Sequence, residues 1–238
     1  MRECAGTVTA MPATPWSPVP PRTVETRDAL HTVAEHILAA ARFRAVGRIG
    51  LQPALGGIGT PLTAGRWIEV IGGDLVVRDE TGEVTREPVT TLRSAGTLVG
   101  IPPGLPSGTY TPVTPLDLDA GLEIDPDAAA ALAAWFALVS DALGELAAQH
   151  RDEQPTDATL WPEHFDLALS IGEVNYGGSP GDDAHPEPYL YVGPWSLPKG
   201  SFWNESFGAS RPASAVADVA AAVAFFSEGH DRAAQGAS

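Results

Sequence analysis

The chain has 238 residues, of which 44% are hydrophobic and 18% are charged, proportions typical of one soluble globular domain. Its net charge is −16, with 30 acidic and 14 basic residues, and the basic residues form no cluster along the sequence. Because nucleic acids and anionic membranes bind through basic patches, this composition disfavours both as partners.

Cys4 is the only cysteine, which excludes an internal disulfide and a thiolate metal site. A chain with so little cysteine suits a reducing compartment, and we expect a cytoplasmic protein. The N-terminus lacks the apolar core of a signal peptide, and no stretch approaches the about 20 apolar residues of a membrane span. Met11 is an alternative start of translation, a prediction that the intact mass of the native protein would test.

The first half of the chain predicts one helix followed by a small meander. A Pro-rich, aperiodic segment, residues 1–22, predicts a disordered or loosely docked arm. Apolar residues at helical spacing predict a helix from about Val24 to Phe43. The predicted strands are Arg48–Pro53, Trp67–Ile71, Asp74–Arg78 and Glu83–Val89, with hairpin turns at Gly72–Gly73 and Thr81–Gly82.

Helices and a long coil follow the meander. A short helix is predicted at Thr90–Val99, and then a Pro/Gly-rich coil that packs over the surface, from Gly100 to Asp125. Asp125 is a good N-cap for a long helix that ends near Gln149. A last helix is predicted at Pro212–Glu228, with Gly229 ending it in the left-handed conformation.

These elements predict an α+β fold. We expect an antiparallel sheet of about five to seven strands with two or three helices packed on one face. The predicted organisation is a single domain over residues 23–228, between the arm 1–22 and a disordered tail 229–238.

More than half of the aromatic residues lie between Leu160 and Phe207. Two segments there alternate, His164–Ile171 and Tyr189–Trp195, and we predict that they pair as a wide hairpin around the loop Asn175–Pro188. One face of this hairpin would carry polar and aromatic residues, namely His164, Asp166, Ser170, Tyr189, Tyr191 and Trp195. Such a face suits a polar ligand or acid–base chemistry, but it is also typical of the wetter side of an antiparallel sheet.

The remaining polar groups give weaker signals. The loop between the two segments contains three acids and one histidine, namely Asp182, Asp183, His185 and Glu187. Their spacing matches no Ca²⁺ or Zn²⁺ site and indicates a rigid, solvated turn. His31 and Glu35 lie one helical turn apart and would join His164 and Asp166 only if the first helix crosses the sheet. No zinc-protease, phosphate-loop or nucleophile-elbow motif occurs, so the sequence predicts no cofactor and no metal site.

Several short segments together form a familiar pattern, among them Trp161–Ala168 (WPEHFDLA), Asn175–Gly177 and Ser179–Asp182. The region from about Asp28 to Gly208 resembles an uncharacterised family of bacterial proteins common in high-GC genomes. It is also distantly similar to a broader family of unknown function with a Leu-His near the start and a Phe-Asp-Leu-Ala strand near the end. The resemblance implies one domain and carries over no catalytic residue.

Three functions fit the pattern. The first is a cytoplasmic small-molecule-binding protein, or an enzyme, in which His164 is the acid–base group, Asp166 orients it or binds ligand, and the tyrosines and Trp195 form an apolar wall. The second is a non-catalytic interaction or structural domain. The third is a metal-dependent hydrolase that uses His31, Glu35, His164 and Asp166, which requires at least three of these side chains near one point.

Overall fold

A computed structural model describes residues 20–236 of the chain. Most of the predicted arm 1–22, with Cys4 and Met11, lies outside the described residues, as do the last two residues of the predicted tail. The fold is α+β, as the sequence predicts, but its strands divide into two antiparallel sheets of five strands each. The strands of both sheets follow one another in chain order, so each sheet is an uninterrupted meander.

The first helical segment runs from Thr23 to Val46 and is divided by a π-helical turn. It consists of α1 (Thr23–Val33), the π segment Ala34–Ala39 and α2 (Ala40–Val46). The predicted helix was therefore correct in place and one to three residues short at its ends. Gly47 ends it in the left-handed conformation, with φ of 68°. Val33, Ile37 and Leu38 are fully buried, which anchors the segment in the core.

The N-terminal sheet follows directly. Its strands are β1 (Gln52–Ala54), β2 (Gly57–Gly59), β3 (Arg66–Ile71), β4 (Asp74–Asp79) and β5 (Val84–Pro88). The predicted hairpin is confirmed, because Ile71 pairs with Asp74 across Gly72–Gly73. The predicted third strand is confirmed as β5, which pairs with β4. The predicted strand Arg48–Pro53 is displaced, since regular pairing begins only at Gln52.

Two helices and the predicted coil connect the sheets. Helix α3 (Leu92–Val99) begins with a capping box between Thr91 and Ser94, and α4 spans Pro126–Gln149. The Asp125 carboxylate accepts hydrogen bonds from the backbone N–H groups of Asp127 and Ala128, which confirms the predicted N-cap. Helix α4 packs against strands of both sheets and against α1, and Trp135 and Phe136 are buried beneath it.

Helix α4 also bears on the prediction that no segment can span a membrane. By length and composition it is the one helix among the described residues that is long and apolar enough to do so. Half of its most apolar window is buried inside the structure, where its apolar residues belong to the hydrophobic core and the helix packs against strands of both sheets. Core helices of globular proteins commonly pass the same length and hydropathy test.

The C-terminal sheet corrects the predicted wide hairpin. Its strands are β6 (Thr159–Trp161), β7 (Asp166–Ile171), β8 (Val174–Ser179), β9 (Tyr189–Pro194) and β10 (Ala209–Pro212). The two alternating segments predicted to pair are β7 and β9, and β8 lies between them and pairs with both. The first third of the predicted loop Asn175–Pro188 is therefore strand. His164 precedes β7 and lies in a turn rather than in the strand.

The C-terminal helix α5 is Val219–Gly236, so the predicted start at Pro212 and the predicted end at Gly229 are both wrong. Pro212 closes β10, and the helix continues through Gly229 into the predicted tail. The glycine is needed for close approach rather than for a left-handed cap. A Cβ atom at Gly229 would lie 2.7 Å from the Val192 side chain on β9.

The sheets meet edge to edge. Leu51 and Leu160 exchange two backbone hydrogen bonds, of 2.7 and 3.0 Å, which link the edges next to β1 and β6. Both leucines are buried, and α4 covers the junction on one side. The opposite side of the C-terminal sheet faces helix α1 and the coil of residues 100–125, and the site lies there.

Candidate functional site

A large cleft lies between the C-terminal sheet, helix α1 and the coil. Its volume is about 1410 Å³, larger than the 300–1,000 Å³ of most small-molecule sites. The floor comes from β7, β8 and β9, one wall from α1, and the other from coil residues near Thr114 and Leu122. The cleft therefore joins segments that are far apart in the sequence.

The sheet floor is shaped by a glycine opposite a tyrosine. Gly177 on β8 pairs with Ala168 on β7 and with Tyr191 on β9. A Cβ atom at Gly177 would lie 2.6 Å from the Tyr191 ring and its hydroxyl oxygen. The absence of a side chain lets the tyrosine ring lie across β8. The Tyr191 hydroxyl thereby reaches β7 and donates a short hydrogen bond to Oδ2 of Asp166.

Asp166 is buried, with 8% of its surface exposed, yet within residues 20–236 only one of its carboxylate oxygens has a hydrogen-bond partner. Oδ1 is buried and has no hydrogen-bond partner among the described residues. Burial is the main reason that the pKa of Asp166 is raised, with Glu163 adding to the effect, while the Tyr191 hydrogen bond and His164 oppose it. A raised pKa in a cleft is a property of acid–base and ligand-binding groups.

Tyr191 is held in its protonated form. Burial and the neighbouring Asp166 raise its pKa well above the ordinary value. The Tyr191 hydroxyl therefore remains a hydrogen-bond donor, and the neutral phenol fixes the orientation of the Asp166 carboxyl group. Tyr189 repeats the arrangement nearby by donating a hydrogen bond of 2.7 Å to Asp182.

The turn before β7 is held in a strained conformation. Phe165 is a bulky residue with φ of 51°, in the left-handed region that such residues rarely occupy. Its ring is fixed by stacking on His31, with centroids 5.0 Å apart, and by an edge contact with Phe136. These ring contacts hold the left-handed backbone in place, and the turn contributes Glu163 and His164 to the lining of the cleft.

His31 connects α1 to this turn. Its Nε2 lies 2.8 Å from the Pro162 carbonyl oxygen and must carry a proton to donate to it. Burial lowers the pKa of His31, although Glu35 and the Pro162 carbonyl act in the opposite direction. The neutral ring therefore stacks on Phe165 and holds the helix against the sheet.

Glu35 binds the coil rather than the cleft. Its fully buried carboxylate accepts hydrogen bonds from the backbone N–H groups of Val113 and Thr114, at 3.0 and 2.8 Å, and from the Thr114 hydroxyl. These contacts fix the coil segment that forms the second wall. Glu35 lies in the π-helical turn, and π turns are frequent where a helix is adapted to a functional region.

The structure brings together six of the eight predicted site residues. The residues that line the cleft are His31, His164, Asp166, Tyr189, Tyr191 and Trp195. The two that do not are Glu35 and Ser170, whose hydroxyl donates to the Asn175 side chain on the neighbouring strand. The predicted pairing of His164 with Asp166 also differs, because the hydrogen-bond donor to Asp166 is Tyr191.

Two further cleft residues were not predicted. Glu163 Oε2 and Arg27 Nη1 are buried and, like Asp166 Oδ1, have no hydrogen-bond partner among the described residues. Arg27 is 6% exposed and uses its other nitrogen atoms to bind Asp28. The sequence signal for Arg27 was its position one helical turn before His31, on the same side of α1.

The cleft is acidic and has an aromatic rim. Within the described residues, its acidic lining residues are Glu25, Asp28, Glu123, Glu163, Asp166, Asp182 and Asp183, against the single cation Arg27 and two histidines. Trp195 is 67% exposed and Phe207 is 40% exposed at the rim. Clustered carboxylates focus a negative potential in the cleft, and exposed aromatic rings can bind organic cations.

Within the described residues, the side chains named by the metal-hydrolase hypothesis do not form a metal-binding cluster. Among residues 20–236, the group of His, Cys, Asp and Glu donors close enough to hold one ion is His150, Glu153 and His230. His31, Glu35, His164 and Asp166 form no such group. Among these four, His31 Nε2 lies 4.0 Å from Glu35 Oε2.

Comparisons with protein-family models, with curated proteins and with solved structures found no match for the chain. The resemblance to an uncharacterised bacterial family therefore stays a prediction. The properties of the site are those of its own residues: a buried carboxyl held by a tyrosine, a strained turn, and an acidic cleft of large volume.

Proposed function

We propose that the protein binds a polar small molecule that carries a cationic amine together with a hydrogen-bond acceptor. The observation that carries this proposal is the pair of buried carboxylate oxygens, Asp166 Oδ1 and Glu163 Oε2, that have no partner among the described residues. A buried carboxylate without a partner is costly, and an ammonium group would supply the missing donors.

The acceptor part of the ligand follows from Arg27. Arg27 lines the same cleft one helical turn from His31, and its Nη1 is a buried donor with no hydrogen-bond partner among the described residues. His31 in turn contacts the Pro162–Phe165 turn that precedes Asp166. A ligand that spans this region can bind the guanidinium with a carboxylate, phosphate or carbonyl and the carboxylates with its amine.

The rim supports a cationic rather than an anionic ligand. Trp195 and Phe207 present exposed rings, and the surrounding carboxylates outnumber the cations. Anions would be repelled by this surface, whereas an organic cation gains both the long-range field and contact with an aromatic face.

The test is calorimetric titration and thermal shift with a panel of amines, each paired with a neutral analogue that has a hydroxyl in place of the amine. We expect amines with an adjacent acceptor to bind and their neutral analogues to fail. Asp166→Asn should weaken binding about 10- to 100-fold, since a charge-assisted hydrogen bond contributes about 1.5–3 kcal/mol.

Asp183→Asn is the matched control. Asp183 lines the same cleft but is exposed, so solvent screens its charge and its loss should change affinity about twofold or less. Binding that is equal in wild type and Asp166→Asn, or a wild-type protein that responds to no amine in the panel, would contradict the proposal.

Acid–base catalysis on the bound amine is the second candidate, favoured by the raised pKa of Asp166 next to His164. A carboxyl group with a raised pKa exchanges its proton closer to neutral pH than an ordinary aspartate does. Incubation of each bound amine with the protein, followed by mass spectrometry, tests it. Turnover that is lost in Asp166→Asn supports catalysis, and unchanged ligands after long incubation reduce the function to binding.

A further inference from the structure

A second cluster of ionisable side chains lies on the other side of the C-terminal sheet, where α4 ends beside α5. His150 is the C-cap of α4, and Glu153 lies in the 3₁₀ turn Arg151–Glu153 that follows. His230 comes from α5. Tyr176, which alternates with the cleft-facing Gly177 on β8, touches this cluster from the sheet. The cluster is therefore separate from the cleft and independent of the function proposed for it.

The three side chains converge on one carboxylate oxygen. Glu153 Oε1 lies 2.9 Å from His150 Nδ1 and 3.2 Å from His230 Nε2. The two imidazole rings are 3.9 Å apart between centroids. All the candidate donor atoms lie within 4.8 Å of one another.

We propose that His150, Glu153 and His230 bind a divalent transition-metal ion of the zinc type. In tetrahedral coordination with metal–ligand bonds of about 2.1 Å, neighbouring ligand atoms lie about 3.4 Å apart. The two reported separations, 2.9 and 3.2 Å, differ from this by a few tenths of an ångström. Small rotations of the three side chains are enough to accommodate the ion.

The ligand set selects the class of ion. Two imidazole nitrogens and one carboxylate suit Zn²⁺, Co²⁺ or Ni²⁺, whereas Mg²⁺ and Ca²⁺ prefer oxygen ligands throughout. His150 and His230 are partly buried, with 20% and 15% of their side-chain surface exposed, and Glu153 is 48% exposed. Three protein ligands at a partly open site leave a fourth position for water or for another ligand.

Tyr176 orients one of the proposed ligands. Its hydroxyl lies 2.9 Å from Nδ1 of His230, the ring nitrogen that faces away from Glu153. Burial, followed by the charges of Glu153 and Asp231, raises the pKa of Tyr176, so the hydroxyl stays neutral and can accept a hydrogen bond. With Nδ1–H donating to Tyr176, the lone pair of Nε2 points at the ion, and histidine ligands are commonly oriented in this way.

The test uses the untagged full chain with Cys4, its only thiol, replaced by serine, after removal of metals with a chelator. Zn²⁺ titration followed by calorimetry and by elemental analysis should show about one bound ion per chain. Co²⁺ should give the intense visible bands of tetrahedral coordination. His150→Ala and His230→Ala should each lower affinity at least about 100-fold, because each removes a direct ligand.

His185→Ala is the matched control. His185 also contacts carboxylates, Asp182 at 3.6 Å and Glu205 at 3.0 Å, but it has no second histidine nearby in the described cluster. We expect this variant to bind Zn²⁺ as the parent chain does. Tyr176→Phe should retain one ion and lower affinity about 10-fold, the effect of a lost second-shell hydrogen bond.

Folding is measured separately by circular dichroism of each metal-free variant, and the parent chain alone already decides whether an ion binds. Absence of stoichiometric Zn²⁺ in the parent chain overturns the proposal. So does binding that survives in both His150→Ala and His230→Ala, or binding that is lost only in His185→Ala.

Discussion

Each of the two sheets is a meander of five strands, but their buried carboxylates differ in how they are hydrogen-bonded. In the N-terminal sheet, Glu69 is 5% exposed, and both of its oxygens accept hydrogen bonds from Arg78, at 3.0 and 2.8 Å. In the C-terminal sheet, Asp166 is 8% exposed, and in the part of the chain that the structure describes only one of its oxygens is hydrogen-bonded, by Tyr191. A structural acid is paired by a full charge, whereas the cleft acid keeps one oxygen available.

The two sheets also differ in what surrounds them. The strand β5 at the edge of the N-terminal sheet is exposed along its length, and ion pairs such as Arg86–Asp74 lie on the surface. The cleft face of the C-terminal sheet instead lies opposite α1 and the coil, with the cleft between them. Buried polar atoms without partners are costly to keep, which is why the cleft is the better candidate for function.

The largest effect is expected from filling the floor of the cleft. Gly177→Ala places a Cβ atom 2.6 Å from the Leu167 carbonyl oxygen and from the Tyr191 ring. Because the backbone oxygen cannot move away freely, we expect a loss of about 2–3 kcal/mol in the free energy of unfolding. Denaturant unfolding measures it.

Gly144→Ala in α4 is the control for that substitution, because nothing lies within 4 Å of its would-be Cβ atom. The alanine should raise stability by up to about 1 kcal/mol through helix propensity. A Gly177→Ala protein as stable as wild type would show that Tyr191 does not lie across β8.

A smaller loss is expected from the paired acid. Glu69→Gln removes the charge that holds Arg78 in a bidentate contact, and we expect a loss of about 1–2 kcal/mol in the free energy of unfolding. The exposed pair Arg86–Asp74 provides the comparison, since Asp74→Asn should cost less than about 0.5 kcal/mol. Equal effects of the two substitutions would remove the distinction between a buried and a surface carboxylate in this sheet.

The smallest expected effect is a gain rather than a loss in the free energy of unfolding, from substitution of Asp166. The folded-state pKa of Asp166 is raised, so wild type loses stability as pH rises from the ordinary value of 3.8 through the folded pKa. Asp166→Asn removes that titration while keeping an oxygen for Tyr191. We expect the variant to be about 1 kcal/mol more stable than wild type at neutral pH, with little difference below the ordinary pKa.

Thermal unfolding of both proteins across this pH range measures the difference. An advantage of Asp166→Asn that shrinks as pH rises would mean that the carboxylate is stabilised rather than destabilised by its surroundings. Together with Glu69→Gln, the result tests whether one sheet uses its buried acid for stability and the other keeps it for a ligand.

Periodic patterns and helix caps predicted most of the helices and strands, but they did not predict the glycine-rich strand β8. Gly177 and Gly178 have low strand propensity and suggested a loop. They lie in a strand because Tyr191 crosses one face and Val139 of α4 packs on the other, where a Cβ at Gly178 would lie 2.4 Å from the valine. Both contacts come from distant parts of the chain, which no local pattern reports.

Alternation along the chain is enough to predict which side chains share a face of β7 and β9, because residues two apart in a strand point the same way whatever their neighbours are. The sequence also predicts the N-cap of α4. Three contacts could be seen only in the folded chain: Tyr191 rather than His164 donates to Asp166, Glu35 binds the coil, and His150 lies against His230. These contacts depend on the path of the chain between distant segments, which packing and not local propensity selects.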